Sequence, residues 1–64
     1  MKINGKPVSY IESETLRACL ERLGFDPARV AVERNGAIVP KNEFPALHLA
    51  EEDVLEVVSF VGGG

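Results

Sequence analysis

Catalytic chemistry needs converging nucleophiles, bases or metal ligands, and this sequence offers few of them. His48 is the only histidine. It has no second ligand at metal spacing and no nucleophile beside it, so it reads as a loop or surface residue. Cys19 is the only cysteine, and it falls in an apolar stripe where a thiol behaves as a small inert hydrophobe. Glu51-Glu52-Asp53 could bind a cation weakly, but consecutive acids before a strand more often cap a turn. No Cys-x-x-Cys pair is present, and no glycine-rich phosphate loop lies within the chain. What remains is the ending, Phe60-Val61-Gly62-Gly63-Gly64. With Gly64 as the last residue, its α-carboxylate is free. Three extended glycines span at most roughly 10 Å, and no side chain widens them. Such a tail can thread a narrow channel in another protein, with Gly62 and Gly63 inside it and Gly64 at the reacting end. A Cβ there would obstruct close backbone approach.

A carboxylate is a poor acylating group because oxide is a bad leaving group. Activation with ATP gives a mixed anhydride with AMP, whose carbonyl then accepts sulfur or an amine. Nothing in this chain looks like a nucleotide site, so that site belongs to a partner. The expectation is therefore a substrate protein and not an enzyme. It has no metal ligands and binds no cofactor itself, and ATP is used by the activating partner.

Size and charge narrow the setting. The chain has 64 residues, below the roughly 70–80 at which one core becomes comfortable, so a single domain over residues 1–64 with a tail at 61–64 is expected. No apolar run approaches the roughly 20 residues of a membrane span. Met1 to Gly5 lacks the apolar stretch of about 7–15 residues that a signal peptide carries. One cysteine forms no internal disulfide, and the expected location is the cytoplasm. Net charge is −3, and all seven Lys and Arg lie at or before Lys41. The acidic C-terminal part, with Glu51, Glu52, Asp53 and Glu56, would repel phosphate backbones and argues against nucleic acid. It suits steering toward a basic protein surface.

The elements that carry the tail follow from pattern. Met1 to Ile3 reads as a strand, Asn4-Gly5 as a type I′ hairpin turn, and Lys6 to Ile11 as the return. Leu16, Cys19, Leu20 and Leu23 repeat at i, i+3, i+4 and i+7, one stripe of a helix. Ser13 or Thr15 caps its start, and Gly24 with Pro27 ends it. Val30 to Arg34, the turn Asn35-Gly36, and Ala37 to Val39 form a second hairpin. Pro40 to Asp53 is irregular, with Phe44, Leu47 and Leu49 plugging the core. Val54 to Val61 is the last strand. Leu55, Val57 and Ser59 share one face, and Val54, Glu56, Val58 and Phe60 share the other. Both faces carry apolar residues, so alternation leaves open which is inside. Phe60, Val61, Val58 and Glu56 are the candidates for partner binding, since an enzyme holding Gly64 must come close to Phe60. One helix against a mixed sheet of about five strands is the expected α+β architecture.

This order of elements, the first Asn-Gly, Val32-Glu33-Arg34-Asn35-Gly36 and the ending Val58-Ser59-Phe60-Val61-Gly62-Gly63-Gly64 resemble the ThiS family, ubiquitin-like sulfur carriers of thiamine biosynthesis. A Gly-Gly end alone is shared with ubiquitin and MoaD-type carriers. The resemblance implies a β-grasp fold with a flexible Gly-Gly tail. It implies adenylation of Gly64 by a ThiF-like adenylyltransferase, conversion to a thiocarboxylate, and sulfur delivery to a ThiG-like thiazole synthase. It implies, too, a cysteine desulfurase or another donor that supplies the sulfur indirectly. The rival readings are a MoaD-like or tRNA-thiolation carrier, a ubiquitin-like modifier of lysines, and a binding module with an idle tail.

Overall fold

The computed structural model describes residues 1–60; Val61, Gly62, Gly63 and Gly64, with the expectations attached to them, lie outside the described residues. Two Asn-Gly pairs reverse the chain, each with both residues at positive φ: Asn4 at 53° and Gly5 at 81°, Asn35 at 51° and Gly36 at 87°. This is the backbone that a type I′ turn requires. The first turn joins β1 (Lys2–Ile3) to β2 (Lys6–Pro7). The second joins β3 (Val30–Arg34) to β4 (Ala37–Ile38). Between the hairpins runs α1 (Leu16–Arg22), and β5 (Val54–Ser59) follows the long loop.

The sheet order is β2-β1-β5-β3-β4, with β1 parallel to β5 and the other neighbours antiparallel. The last strand is therefore the central one. The helix lays Leu16, Cys19 and Leu20 on the sheet, against Ile3, Val30, Val32, Leu55 and Val57. The expected stripe is thus the buried face, with Leu23 half-buried at its end. Thr15, not Ser13, is the N-cap: its hydroxyl accepts from the Ala18 N–H at 3.2 Å. Gly24, at φ 88°, follows the helix where a right-handed turn stops.

The loop does more than plug the core. Phe44 and Leu49 are buried in it and Leu47 is half-buried, as the pattern predicts. The loop also closes the helix start. The Leu16 N–H donates to the Leu47 carbonyl at 2.8 Å and the Arg17 N–H to the Phe44 carbonyl at 3.0 Å. Those are donors that a helix cannot satisfy internally.

Four strands are shorter than the pattern suggests, β5 among them, since it stops at Ser59 and leaves Phe60 outside. β1 starts at Lys2 and β4 stops at Ile38. The return strand expected over 6–11 ends at Pro7. Pro7 turns its nitrogen, which has no N–H, to the open edge. The Val8 N–H makes one last bond to the Met1 carbonyl at 2.9 Å, and after Val8 the chain is drawn toward the helix. There Arg22 donates to the Ser9 carbonyl at 3.0 Å and grips the Glu14 carboxylate at 2.8 and 3.0 Å.

Asp53 is the buried acid of the core. Its carboxylate accepts from the Ala50 N–H at 2.8 Å, Arg34 Nε at 2.9 Å and Asn35 Nδ2 at 3.0 Å. It caps the turn before β5, as consecutive acids often do, and it fixes the β3–β4 turn to that strand. It is not a steering charge, because its side chain is enclosed. Burial pushes its carboxyl up, but the Ala50, Arg34 and Asn35 donors and the Arg34 charge outweigh this and hold it below the ordinary value. A depressed folded pKa gives stability that is complete above about pH 4 and is lost as pH falls through the lowered value. Asp53→Asn is expected to cost about 2–4 kcal/mol at neutral pH. The gap to the parent should narrow below about pH 4 in urea unfolding curves. Two curves that stay parallel into acid would contradict this assignment.

Candidate functional site

The open question about β5 is which face it buries. Leu55 and Val57 point into the core, while Val54, Val58 and Phe60 are 45%, 61% and 58% exposed. Phe60 is thus a surface aromatic and not a core residue. The sheet carries its helix on one side, and these alternate residues of β5 lie on the other.

Pairing extends that open face. Ala31 of β3 stands opposite Val58, and Glu33 stands opposite Glu56. Ile38 of β4, 77% exposed, stands opposite Glu33. Lys2 of β1 stands opposite Val54. The face is therefore apolar side chains around two acids held directly across from one another. Like charges in that position destabilise a sheet. Among the described residues neither Glu33 nor Glu56 has an ion-pair partner.

Beyond the strand, Phe60 continues the antiparallel ladder: its N–H donates to the Arg29 carbonyl at 2.8 Å. Its ring lies beneath Lys41, with Nζ 5.3 Å from the ring centre. On the other edge of β5, β1 turns away at Asn4, whose side chain takes the place of the missing strand. Asn4 Oδ1 accepts from the Val57 N–H at 2.7 Å, and Nδ2 donates to the Val57 carbonyl at 3.0 Å.

The expected partner residues Glu56, Val58 and Phe60 are thus brought together on one exposed face; the fourth, Val61, lies outside the described residues. Sequence reasoning missed Glu33, Ile38 and Ala31 on that face. The hairpin Val32–Gly36 gave the signal, since its register sets what stands beside Glu56. Lys41 had no local signal at all. The acids Glu51 and Glu52 are exposed in the turn before β5.

The other residues of chemical type are accounted for structurally. His48 is exposed, and its Nδ1 lies 3.0 Å from the Ser13 carbonyl. The described residues contain no cluster of His, Cys, Asp and Glu fit for a metal ion. A depression of about 320 Å³ beside Lys41 and another of about 310 Å³ between the first hairpin and Phe25 contain neither histidine nor cysteine. No helix among the described residues is long and apolar enough to cross a membrane.

Comparison with known proteins follows the same outline. The model of the ThiS family matches residues 1–64. A thiazole synthase of Magnetococcus marinus is 47% identical over 62 residues, which is 97% of this chain and 19% of that protein. The chain thus spans 19% of the length of that relative. The sulfur carrier protein ThiS of Bacillus subtilis is 35% identical over 65 residues, covering 100% of this chain and 98% of its own. The crystal structure of thiamine biosynthesis protein ThiS from Geobacter metallireducens superposes with a TM-score of 0.80 at 32% identity, covering 98% of this chain and 96% of that one.

Cys19 is fully buried in the helix stripe, with Arg22 Nη2 3.9 Å from its sulfur. Burial pushes its thiol up, and the Glu14 charge adds to this more than Arg22 opposes it. In the native protein Cys19 should resist a disulfide reagent such as DTNB near pH 8, and react promptly once guanidinium unfolds the chain. Fast labelling of the native fold would reopen Cys19 as a sulfur site.

Proposed function

Because the chain belongs to the ThiS family, we propose that it is a sulfur carrier for thiazole formation in thiamine biosynthesis. The Gly64 carboxylate is the working group. One carboxylate oxygen attacks the α-phosphorus of ATP in an adenylating partner, and pyrophosphate leaves. A sulfide-level nucleophile then adds to the acyl carbon and AMP departs, leaving a C–S bond in a terminal thiocarboxylate. That sulfur is nucleophilic yet tethered, and it passes to a thiazole synthase. The chain is a co-substrate acting in the cytoplasm, with catalysis and ATP binding left to its partners. Gly62 and Gly63 let the tail enter those active sites.

One observation carries this reading. Similarity to a sulfur carrier protein runs the full length of both chains, 100% of this one and 98% of the other. The match to part of a thiazole synthase favours that enzyme as the sulfur acceptor over a molybdopterin or tRNA pathway.

The test is mass spectrometry of the chain after incubation with its adenylating enzyme, ATP and a sulfur donor. The expected change is one oxygen replaced by sulfur at Gly64. Deleting Gly63 and Gly64 should abolish ATP–pyrophosphate exchange and leave the melting temperature unchanged. Conjugation to lysines of other proteins in place of sulfur loading would favour the modifier reading.

The open face gives the partner its footing, with Phe60 at its end and Val58 and Glu56 behind it; Val61, next in the sequence, is proposed to join them. An exposed aromatic anchor commonly contributes about 2 kcal/mol or more to an interface. Phe60→Ala should therefore weaken binding to the adenylating enzyme roughly thirtyfold while the fold persists. Glu56→Thr should have opposite effects on two readouts. Relief of the repulsion with Glu33 raises the melting temperature of the free protein, and loss of the acid slows association with a basic partner, most of all at low salt. Stability and affinity that move in the same direction would refute the docking role of Glu56.

A further inference from the structure

Three contacts form a closed ring at the root of the tail. The Phe60 N–H donates to the Arg29 carbonyl at 2.8 Å. The Lys41 ammonium donates to the carbonyl of the adjacent Ala28 at 2.6 Å. The same ammonium stands 5.3 Å from the centre of the Phe60 ring. Lys41 thus joins two short 3-10 turns, Pro27–Arg29 and Lys41–Glu43, to the last described aromatic side chain.

Support on the other edge of β5 ends earlier. β1 pairs with it only at Val54 and Leu55, and the Asn4 side chain reaches Val57. Among the described residues, no hydrogen bond from that side reaches Ser59 or Phe60. The placement of Phe60 therefore depends on the β3 side and on Lys41.

The residue type suits this task. A long stem spans the gap between the turns, and its ammonium serves two groups at once. It donates a hydrogen bond to a carbonyl oxygen and faces the negative π surface of an aromatic ring. An aliphatic side chain could cover the ring but could not hold the carbonyl. Lys41 is also the last Lys or Arg of the sequence, so no later Lys or Arg can replace it.

Building on the carrier reading above, we propose that Lys41 is a positioning residue for the transfer chemistry. It clamps the Phe60 ring to the loop turns and so sets the exit angle of the tail while an adenylating enzyme holds Gly64. A clamp of this kind acts inside the bound complex. Its loss reduces the share of bound carriers whose carboxylate lies in line with ATP, while Phe60, still held by its backbone bond to Arg29, keeps its exposed side toward the partner.

The experiment measures ATP–pyrophosphate exchange by the adenylating enzyme against concentration of the full chain, for the parent, Lys41→Met and Lys41→Arg. Lys41→Met keeps the stem and loses the charge and the donor. It should lower kcat roughly two- to fivefold, the size of one exposed cation–π contact, with KM unchanged. Lys41→Arg keeps charge, donor and ring contact, and should restore kcat. Proton NMR reads the clamp without any enzyme. The Lys41 ε-methylene should be shifted upfield by the Phe60 ring in the parent and return to its ordinary position in Phe60→Leu. Unchanged kinetics for Lys41→Met overturn the proposal, and so does a rise in KM at constant kcat, which would mark a docking contact instead. A lower melting temperature with unchanged turnover of the folded fraction overturns it in favour of a purely structural role. A parent chain that supports no exchange at all sinks the carrier reading and the inference together, whereas normal parent exchange with an inert Lys41→Met sinks only the inference.

Discussion

Everything in this fold depends on the two-sided pairing of β5. The strand lies between β1 and β3, parallel to one and antiparallel to the other. Both hairpin turns contribute to that pairing. Asn35 Oδ1 accepts from the Val54 N–H at 2.9 Å, and Asn4 Oδ1 accepts from the Val57 N–H at 2.7 Å. Each turn therefore reverses its own hairpin and also fixes a backbone donor of the central strand. The Val57 donor is partly buried, and a buried donor left unsatisfied costs about 1–3 kcal/mol; the bond at the exposed Val54 adds a second point against slippage. A slip of one residue would exchange the faces of β5. Leu55 and Val57 would enter solvent, and Glu56 would enter the core.

The sequence shows best those features whose causes are local. The helix was legible because its apolar stripe, its capping threonine and the stop at Gly24 lie within one window. The Asn-Gly pairs were legible because only a few residues tolerate positive φ twice in succession. The strand Val30–Arg34 matched its expected bounds. The family resemblance, with its β-grasp architecture, rested on the same hairpin and on the ending.

Features with distant causes could not be read. Pro7 suggested an edge position, yet the early end of β2 also reflects Arg22 drawing on the Ser9 carbonyl from the helix. The faces of β5 were ambiguous because valine and leucine fall on both. Only the placement of the helix separates them. Asp53 looked like one acid among several on a charged run, while its partners Arg34 and Asn35 come from another hairpin. Lys41 carries no mark at all in its neighbours. Its ring partner lies far along the chain, and nothing in the sequence brings the two together.

The pairing of residues 2 and 3 with 54 and 55 has a consequence for how the protein is made. A ribosome releases β1 well before β5, so the centre of the sheet stays empty until β5 has emerged. The first hairpin, the helix and the second hairpin emerge without a common surface to pack on, and isolated hairpins are marginal in water. Closure of so distant a pairing carries a large loop entropy and is slow relative to local structure. Completion of the sheet thus waits for β5. The exposed face of β5, and the anchored Phe60 at its end, come into existence only in the step that completes the core. A chain that has not yet released β5 has neither, and cannot present that docking surface.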